Sequence, residues 1–268
     1  WRTGKALTIC MGVFRQTSQR QVRSLECMDA TVNQITISKV DRHLHAPLGW
    51  LLPPRCVVCG DAGMPGRDVC ACCHADLPWQ GLACGCCALP LPTTGICGHC
   101  LQQPSPLDAA HAAFDYSFPL DRLLPRLKFH ADFACGRMLA QCMAERFAAL
   151  PRPAAIVPVP LHPARLRRRG YDQALELAKP IARALALPLR GNLLQRGKPT
   201  SAQSRLHADA RQRNLRDAFR VATLPDLPAH IALLDDVMTT GATLYAAAQA
   251  LRNAGVARVD AWVCARVA

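Results

Sequence analysis

Ile231-Ala-Leu-Leu-Asp235-Asp236-Val-Met-Thr239-Thr240-Gly241-Ala-Thr243 is the stretch on which the reading of the fold turns. The apolar run Ile231 to Leu234 is too short for a helix and predicts a buried strand. Two acids follow at its C-terminal edge, then a Thr/Gly loop, then a helix from Thr243 to Asn253 that Gly255 ends. In open α/β sheets ligands bind at that edge of the strands. Loop N–H groups and a helix N-terminus make an anion cradle, Gly241 lets backbone approach closely, and the threonine hydroxyls add donors. Two acids beside such a cradle make sense for a sugar phosphate: Asp235 and Asp236 accept from ribose hydroxyls while the loop holds the phosphate. A plain capped turn, with Asp236 or Thr239 as N-cap, would explain one acid and one threonine but not all of them.

Outward from this stretch the chain alternates helix and strand patterns. Helices are predicted over Leu120 to Phe129, Phe133 to Leu150 and Tyr171 to Leu187, the last with Pro180 inside it. Strands are predicted over Ala155 to Val159 and Arg258 to Ala265. Strand, helix, strand in this order predicts an α/β fold with a parallel sheet and flanking helices. Residues 165 to 220 hold 14 Lys/Arg against 4 Asp/Glu, so much of the excess positive charge falls between the Ala155 to Val159 strand and the Thr/Gly loop. Part of it, at Arg183, Arg190 and Arg216, is expected on solvated helix faces. Other phosphate motifs fail. Gly191 to Lys198 has one residue too many between its glycines for a Walker A loop, and Pro199 stands where a Ser/Thr would hold Mg²⁺.

Ten of the 15 cysteines lie between Cys56 and Cys100. They include four C-x-x-C pairs: Cys56/Cys59, Cys70/Cys73, Cys84/Cys87 and Cys97/Cys100. Each such turn points two thiolates at one tetrahedral ion, and two turns close a Cys₄ site with no position left for water or substrate. The spacing predicts two structural zinc sites. Sequential pairing is the simplest assignment; a cross-braced one, first pair with third and second with fourth, has equally suitable spacing. Cys72, Cys86, His74 and His99 are neighbours of ligands. Cys10, Cys27, Cys135, Cys142 and Cys264 are isolated and read as small buried or incidental thiols. An odd count in C-x-x-C pairs favours metal over disulfides, hence a reducing, cytoplasmic setting.

The remaining composition bounds the answer. The chain has 268 residues, half of them apolar, and a formal charge of +13. Eight thiolates with two zinc ions bring that to about +9, which still suits phosphates or nucleic acid. The most apolar window, Ala148 to Leu161, is cut by four prolines, which argues against a membrane span. Residues 1–47 are basic and weakly periodic, and Met28 is a possible internal start, so this segment reads as a disordered or spurious extension. A Cys-, Gly- and Pro-dense module over 48–105 needs metal staples to fold. The α/β part occupies 106–268.

At this point the chain resembles the type I phosphoribosyltransferases through 231–243, and more narrowly the ComF/GntX family, which joins a double zinc ribbon to such a domain. The four C-x-x-C pairs, Leu127-Lys128-Phe129, Val157-Pro-Val-Pro160 and Arg169-Gly170-Tyr171-Asp172-Gln173 carry the likeness. So do Thr200-x-x-Gln203-x-x-Leu206, Arg213-Asn214 and Ala218-Phe219, while Tyr171-Asp172 stands where members often have Phe-Asn. The resemblance implies binding of Mg²⁺–phosphoribosyl pyrophosphate. Asp235 and Asp236 would take the ribose, and Thr239, Thr240, Gly241, Ala242 and Thr243 the 5′-phosphate. Val159, Pro160 and Leu161 would face the pyrophosphate with their N–H groups, Arg165 to Arg169 would add positive charge, and Thr200 to Gln203 would belong to a lid. It implies either phosphoribosyl transfer to an unidentified nucleobase or amine, or a protein of DNA uptake and competence that handles single-stranded DNA alongside competence-machinery partners. Trp79 is the only Trp, Tyr or Phe between Cys56 and Cys100, so base stacking there is poorly supplied.

Overall fold

The computed structural model describes residues 53–197, 218–223 and 226–268. Expectations for residues 1–47, Lys198, Pro199, Thr200 to Gln203, Arg213-Asn214 and Arg216 lie outside them. Four parallel strands form the central sheet: β1 (Ala109–Asp115), β2 (Ala155–Pro158), β5 (His230–Met238) and β6 (Arg258–Arg266), in the order β1-β6-β5-β2. A small antiparallel hairpin pairs β3 (Leu194–Arg196) with β4 (Phe219–Val221). The helices are α1 (Ala71–Ala75), α2 (Gly98–Gln102), α3 (Leu120–His130), α4 (Phe133–Phe147), α5 (Pro163–Arg169), α6 (Gln173–Ala184) and α7 (Ala242–Asn253). None among the described residues is long and apolar enough to cross a membrane.

Alternation along β5 and β6 splits the interior into two cores. Ala232, Leu234, Trp262 and Cys264 face α3, α4 and α6, together with Cys56 and Cys73. Ile231, Leu233, Val259, Ala261 and Val263 face α7 and the hairpin, together with Cys84, Cys87, Cys97 and Cys100. Each half of the cysteine-rich module therefore docks on its own face of the sheet.

The sheet is flanked as well as covered. The ribbon lies along β1: Gln80 donates its N–H to the Ala113 carbonyl at 3.0 Å, Asp115 to Pro78 at 2.9 Å and Ala110 to Gly85 at 2.9 Å. Beyond β2, Ile156 donates to Pro188 at 2.8 Å and accepts from Arg190 at 2.9 Å. An exposed strand edge is an aggregation template, and both flanks are occupied.

Several expectations shift. β5 does not stop at Leu234 but continues to Met238, because β6 pairs with it as far as Arg266. The acids thus lie inside a strand, and the edge they occupy is set by β2, whose last rung is Pro158 with Leu234. α6 begins at Gln173 rather than Tyr171, because Asp172 caps it by accepting from Ala174 at 3.0 Å and Leu175 at 3.2 Å. α4 ends at Phe147, three residues early. β1, α5 and the hairpin were not anticipated.

Candidate functional site

The cysteines gather sequentially. Cys56, Cys59, Cys70 and Cys73 bring their Sγ atoms within 4.8 Å of one another, and so do Cys84, Cys87, Cys97 and Cys100. Cross-bracing does not occur. The Cys59–Cys70 and Cys87–Cys97 sulfurs are both 3.7 Å apart. A tetrahedral ion with bonds of about 2.3 Å needs sulfurs about 3.8 Å apart, so the clusters fit zinc. Charge points the same way. Burial raises the Cys84 thiol, but N–H groups of Cys97, Cys86 and Cys87 outweigh it and bring it down to about 6. Cys56 falls to about 7 because N–H groups of Cys59, Cys70 and Val58 outweigh its burial. Burial pushes Cys59 up to about 11 and Cys73 and Cys100 higher still. Thiolate thus comes readily at Cys56 and Cys84, and a divalent cation among the sulfurs would favour it at the raised ones. Cys72 and Cys86 stand outside both groups. His74 lies 3.3 Å from Glu145 and packs edge-on against Trp79, while the Trp79 indole donates to the His74 carbonyl at 3.0 Å. Trp79 thus serves docking, not stacking on a ligand.

The second site lies where the connections after β2 and β5 leave on opposite faces, α6 on one and α7 on the other. That divergence opens a crevice at the C-terminal ends of the two strands. Asp235 and Asp236 are the first residues of β5 past the last β2 rung. They do not form a parallel clamp. Asp236 is 4% exposed and turns to the α3 face, where Lys128 Nζ sits 2.9 Å from its carboxylate. Asp235 turns to the hairpin face, close enough to Arg196 for each charge to feel the other. Burial first, and then the Asp236 charge, hold the Asp235 carboxyl well above the usual range; Lys128 only partly offsets them. Burial also raises Asp172, with the Asp236 charge adding to it against three backbone N–H donors. Three acids and one lysine thus favour a ligand that brings hydroxyl donors or a cation. Among the described residues only the two Cys₄ groups could by themselves enclose an ion, so any Mg²⁺ would have to be shared with a ligand.

Thr239 and Thr240 are exposed beside this pair. The N-cap of α7 is Gly241, with φ +78°, instead of Asp236 or Thr239; it has no side chain to cap the helix, and Thr240 Oγ1 makes only a long contact, accepting from the Ala242 N–H at 3.5 Å. A Cβ at Gly241 would lie 2.6 Å from Met238 Cε and 2.7 Å from Tyr245 Cζ, so both conformation and space demand glycine. The first-turn N–H groups of Ala242 and Thr243 have no acceptor within the helix. These are the donors an anion would use.

The expected pyrophosphate loop needs correction. The Val159 N–H donates to the Leu234 carbonyl at 2.9 Å, Pro160 has none, and the Leu161 N–H donates to the Asp172 carboxylate at 2.8 Å. Val159 to Leu161 therefore offers no free backbone donor, and positive charge there comes from side chains. Arg165, Arg167 and Arg168 are exposed on α5; Arg169 lies 5.4 Å over the Phe129 ring and donates to Gln173. Phe129 is 67% exposed, and nearby Phe133, half exposed, packs edge-on against Tyr171 at 5.3 Å. This aromatic–arginine surface was missed because its residues are scattered over 42 positions of sequence. Lys128 and Asp172 were quoted only as parts of motifs. Arg183 is exposed on α6 as expected; Arg190 is exposed too but lies beyond the end of α6 and not on a helix face, and Cys135, Cys142 and Cys264 are buried.

Comparison with known proteins adds to this geometry. Residues 47–101 match the double zinc ribbon domain family. The chain is 40% identical over 159 residues to "Competence protein F" of Haemophilus influenzae, covering 56% of this chain and 69% of that protein. It is 36% identical over 158 residues to "DNA utilization protein YhgH" of Escherichia coli strain K12, covering 57% and 69%. It is 25% identical over 155 residues to "Competence protein ComFC" of Streptococcus pneumoniae, covering 58% and 67%. The chain belongs to the ComF family.

Proposed function

As a member of that family the chain, we propose, is a cytoplasmic phosphoribosyltransferase-fold protein that binds Mg²⁺–phosphoribosyl pyrophosphate at the β2/β5 crevice and serves DNA uptake. The observation that carries the ligand is the α7 N-terminus, with close-packed Gly241 as N-cap and only a long contact from Thr240 Oγ1 at its first turn, adjoining two carboxylates just past the last β2 rung. The 5′-phosphate would lie on Thr239 to Thr243. Asp235 and Asp236 would accept from the ribose hydroxyls, with Lys128 holding Asp236 in place. The α5 arginines would face the pyrophosphate, whose Mg²⁺ masks charge on the leaving oxygens. Departure of pyrophosphate leaves positive charge on the sugar ring, and carboxylates beside it favour that change. The link to DNA uptake rests on the names of the relatives. The exposed Phe129 and Phe133 beside the α5 arginines support a single-stranded DNA partner, since rings stack bases and guanidinium groups follow phosphates.

The test is calorimetric titration of the two-zinc protein with Mg²⁺–phosphoribosyl pyrophosphate. Wild type is expected to bind, and Asp235→Asn with Asp236→Asn to weaken binding by about 100-fold, as loss of two charged hydrogen bonds requires. Unchanged affinity in the double variant would remove the ribose assignment. Pyrophosphate release with a panel of nucleobases decides between the two roles: turnover with one of them makes the chain a transferase, and binding without turnover leaves the DNA-uptake role.

A further inference from the structure

Arg266 is the last residue of β6 and is 8% exposed. Its Nε donates to the Cys87 carbonyl at 2.8 Å. Its Nη1 donates to the carbonyls of Met238 at 3.2 Å and Thr239 at 2.6 Å, and to that of Val267. Cys87 is a thiol of the second cluster, and Thr239 opens the loop before α7. A single guanidinium therefore joins a metal-ligand residue to the anion loop. A planar fork can serve two segments in different directions at once, whereas an ammonium is a point donor on a flexible stem. Tyr245 reinforces the junction: it lies under Gly241 and packs into the core that holds the second cluster. The described contacts of the first cluster's ribbon run instead to α3 and α4, through Arg126 to the Val57 carbonyl and Arg137 to Asp68.

We propose that Arg266 is a positioning residue that couples metal retention at Cys84, Cys87, Cys97 and Cys100 to the geometry of the Thr239–Gly241 loop. The coupling rests on the phosphoribosyl pyrophosphate reading above. A site held by metal fixes the Cys87 carbonyl, which fixes the guanidinium, which fixes the carbonyl side of the loop and so the direction of its N–H groups. Coupling between two binding events is reciprocal, so ligand at the loop must also retain metal at the second cluster.

The experiment follows zinc release from the two-zinc protein into a colorimetric chelator, with and without Mg²⁺–phosphoribosyl pyrophosphate. Cys59→Ser, which disables the first cluster, assigns the phases. The ligand is expected to slow release from the second cluster about tenfold and to leave the first within about twofold. Arg266→Lys is expected to keep two zinc ions, to lose that protection and to bind the ligand about tenfold more weakly. A residue that merely closed a strand end would change stability without changing ligand-dependent release. Equal protection of both clusters, or protection that survives Arg266→Lys, overturns the proposal. Should the lysine variant fail to fold, the wild-type measurement alone decides, since binding without selective protection sinks the coupling. Wild type that does not bind phosphoribosyl pyrophosphate sinks the ligand reading and the coupling with it.

Discussion

The two cysteine clusters share a motif and a spacing, yet they sit differently. In the first, Cys59 is exposed and Cys70 half-buried, and its ribbon is tied to the helical face by polar contacts: Arg137 to Asp68 at 2.6 Å, Arg126 to Val57, and Arg67 to Glu145. In the second, all four cysteines are buried and share one apolar core with α7 and the far face of the sheet. The first is half in the interior, through Cys56 and Cys73, and half outside it; the second lies wholly inside. Identical coordination chemistry thus acquires different energetic weight from what covers it.

The largest expected effect tests that contrast directly. Cys97→Ser with Cys100→Ser removes the second metal and leaves hydroxyls in an apolar core, so cooperative thermal unfolding of the α/β part should vanish. Cys59→Ser should lose one zinc and keep a cooperative transition. Zinc analysis with near-ultraviolet circular dichroism checks both, and equal damage would break the contrast. Next comes Gly241→Ala on the second-cluster face. A left-handed residue with a side chain costs roughly 1–2 kcal/mol before any clash is counted. A Cβ 2.7 Å from the Tyr245 ring adds to it, so a melting temperature lower by several degrees is expected.

The acids separate the faces further. Asp236 is matched by Lys128, and Asp236→Asn strands that partly buried ammonium, so stability near pH 7 should fall. Asp235 is dominated instead by its burial and the Asp236 charge, and its raised folded-state value means the folded chain holds a proton that the unfolded chain releases more easily. Its favourable contribution is complete below the unfolded value of about 3.9 and is lost as pH rises through the raised folded value. Asp235→Asn should therefore melt progressively higher than its parent as pH rises, in the absence of ligand. Denaturation across pH checks the sign, and a gain for Asp236→Asn in place of Asp235→Asn would reverse the assignment. The smallest effect is expected on the first face. Arg67→Ala removes an ion pair to Glu145 in which both side chains are over a third exposed and should cost at most about 1 kcal/mol by chemical denaturation.

The sequence made some of this legible for definite reasons. Ile231 to Leu234 is unmistakable because four consecutive apolar residues suit a strand buried on both faces. Its continuation through Asp235 and Asp236 was hidden, since charge in a strand is stabilised only by what lies outside it, here β6 pairing and Lys128. The cysteine spacing fixed the ligand sets as candidates, but which face each cluster covers depends on packing. β1 was invisible because Ala-Ala-His-Ala-Ala has neither a period of two nor β-branched residues; pairing with β6 makes it a strand. The hairpin joins residues far apart in sequence, which no local pattern reports. At Val159 to Leu161 the loop's place was legible, but the competition for its N–H groups by Leu234 and Asp172 was not.

The backbone bonds from the ribbon to β1 carry an implication for biogenesis. The metal module leaves the ribosome before the strand it shields, so zinc can be captured while the rest of the chain is still being made. A molecule finished without zinc would keep β6 on one side of Ala109 to Asp115 but present the other edge bare, open to pairing with another copy. Metal supply would then set how much of the newly made protein stays dispersed, quite apart from anything that happens in the crevice.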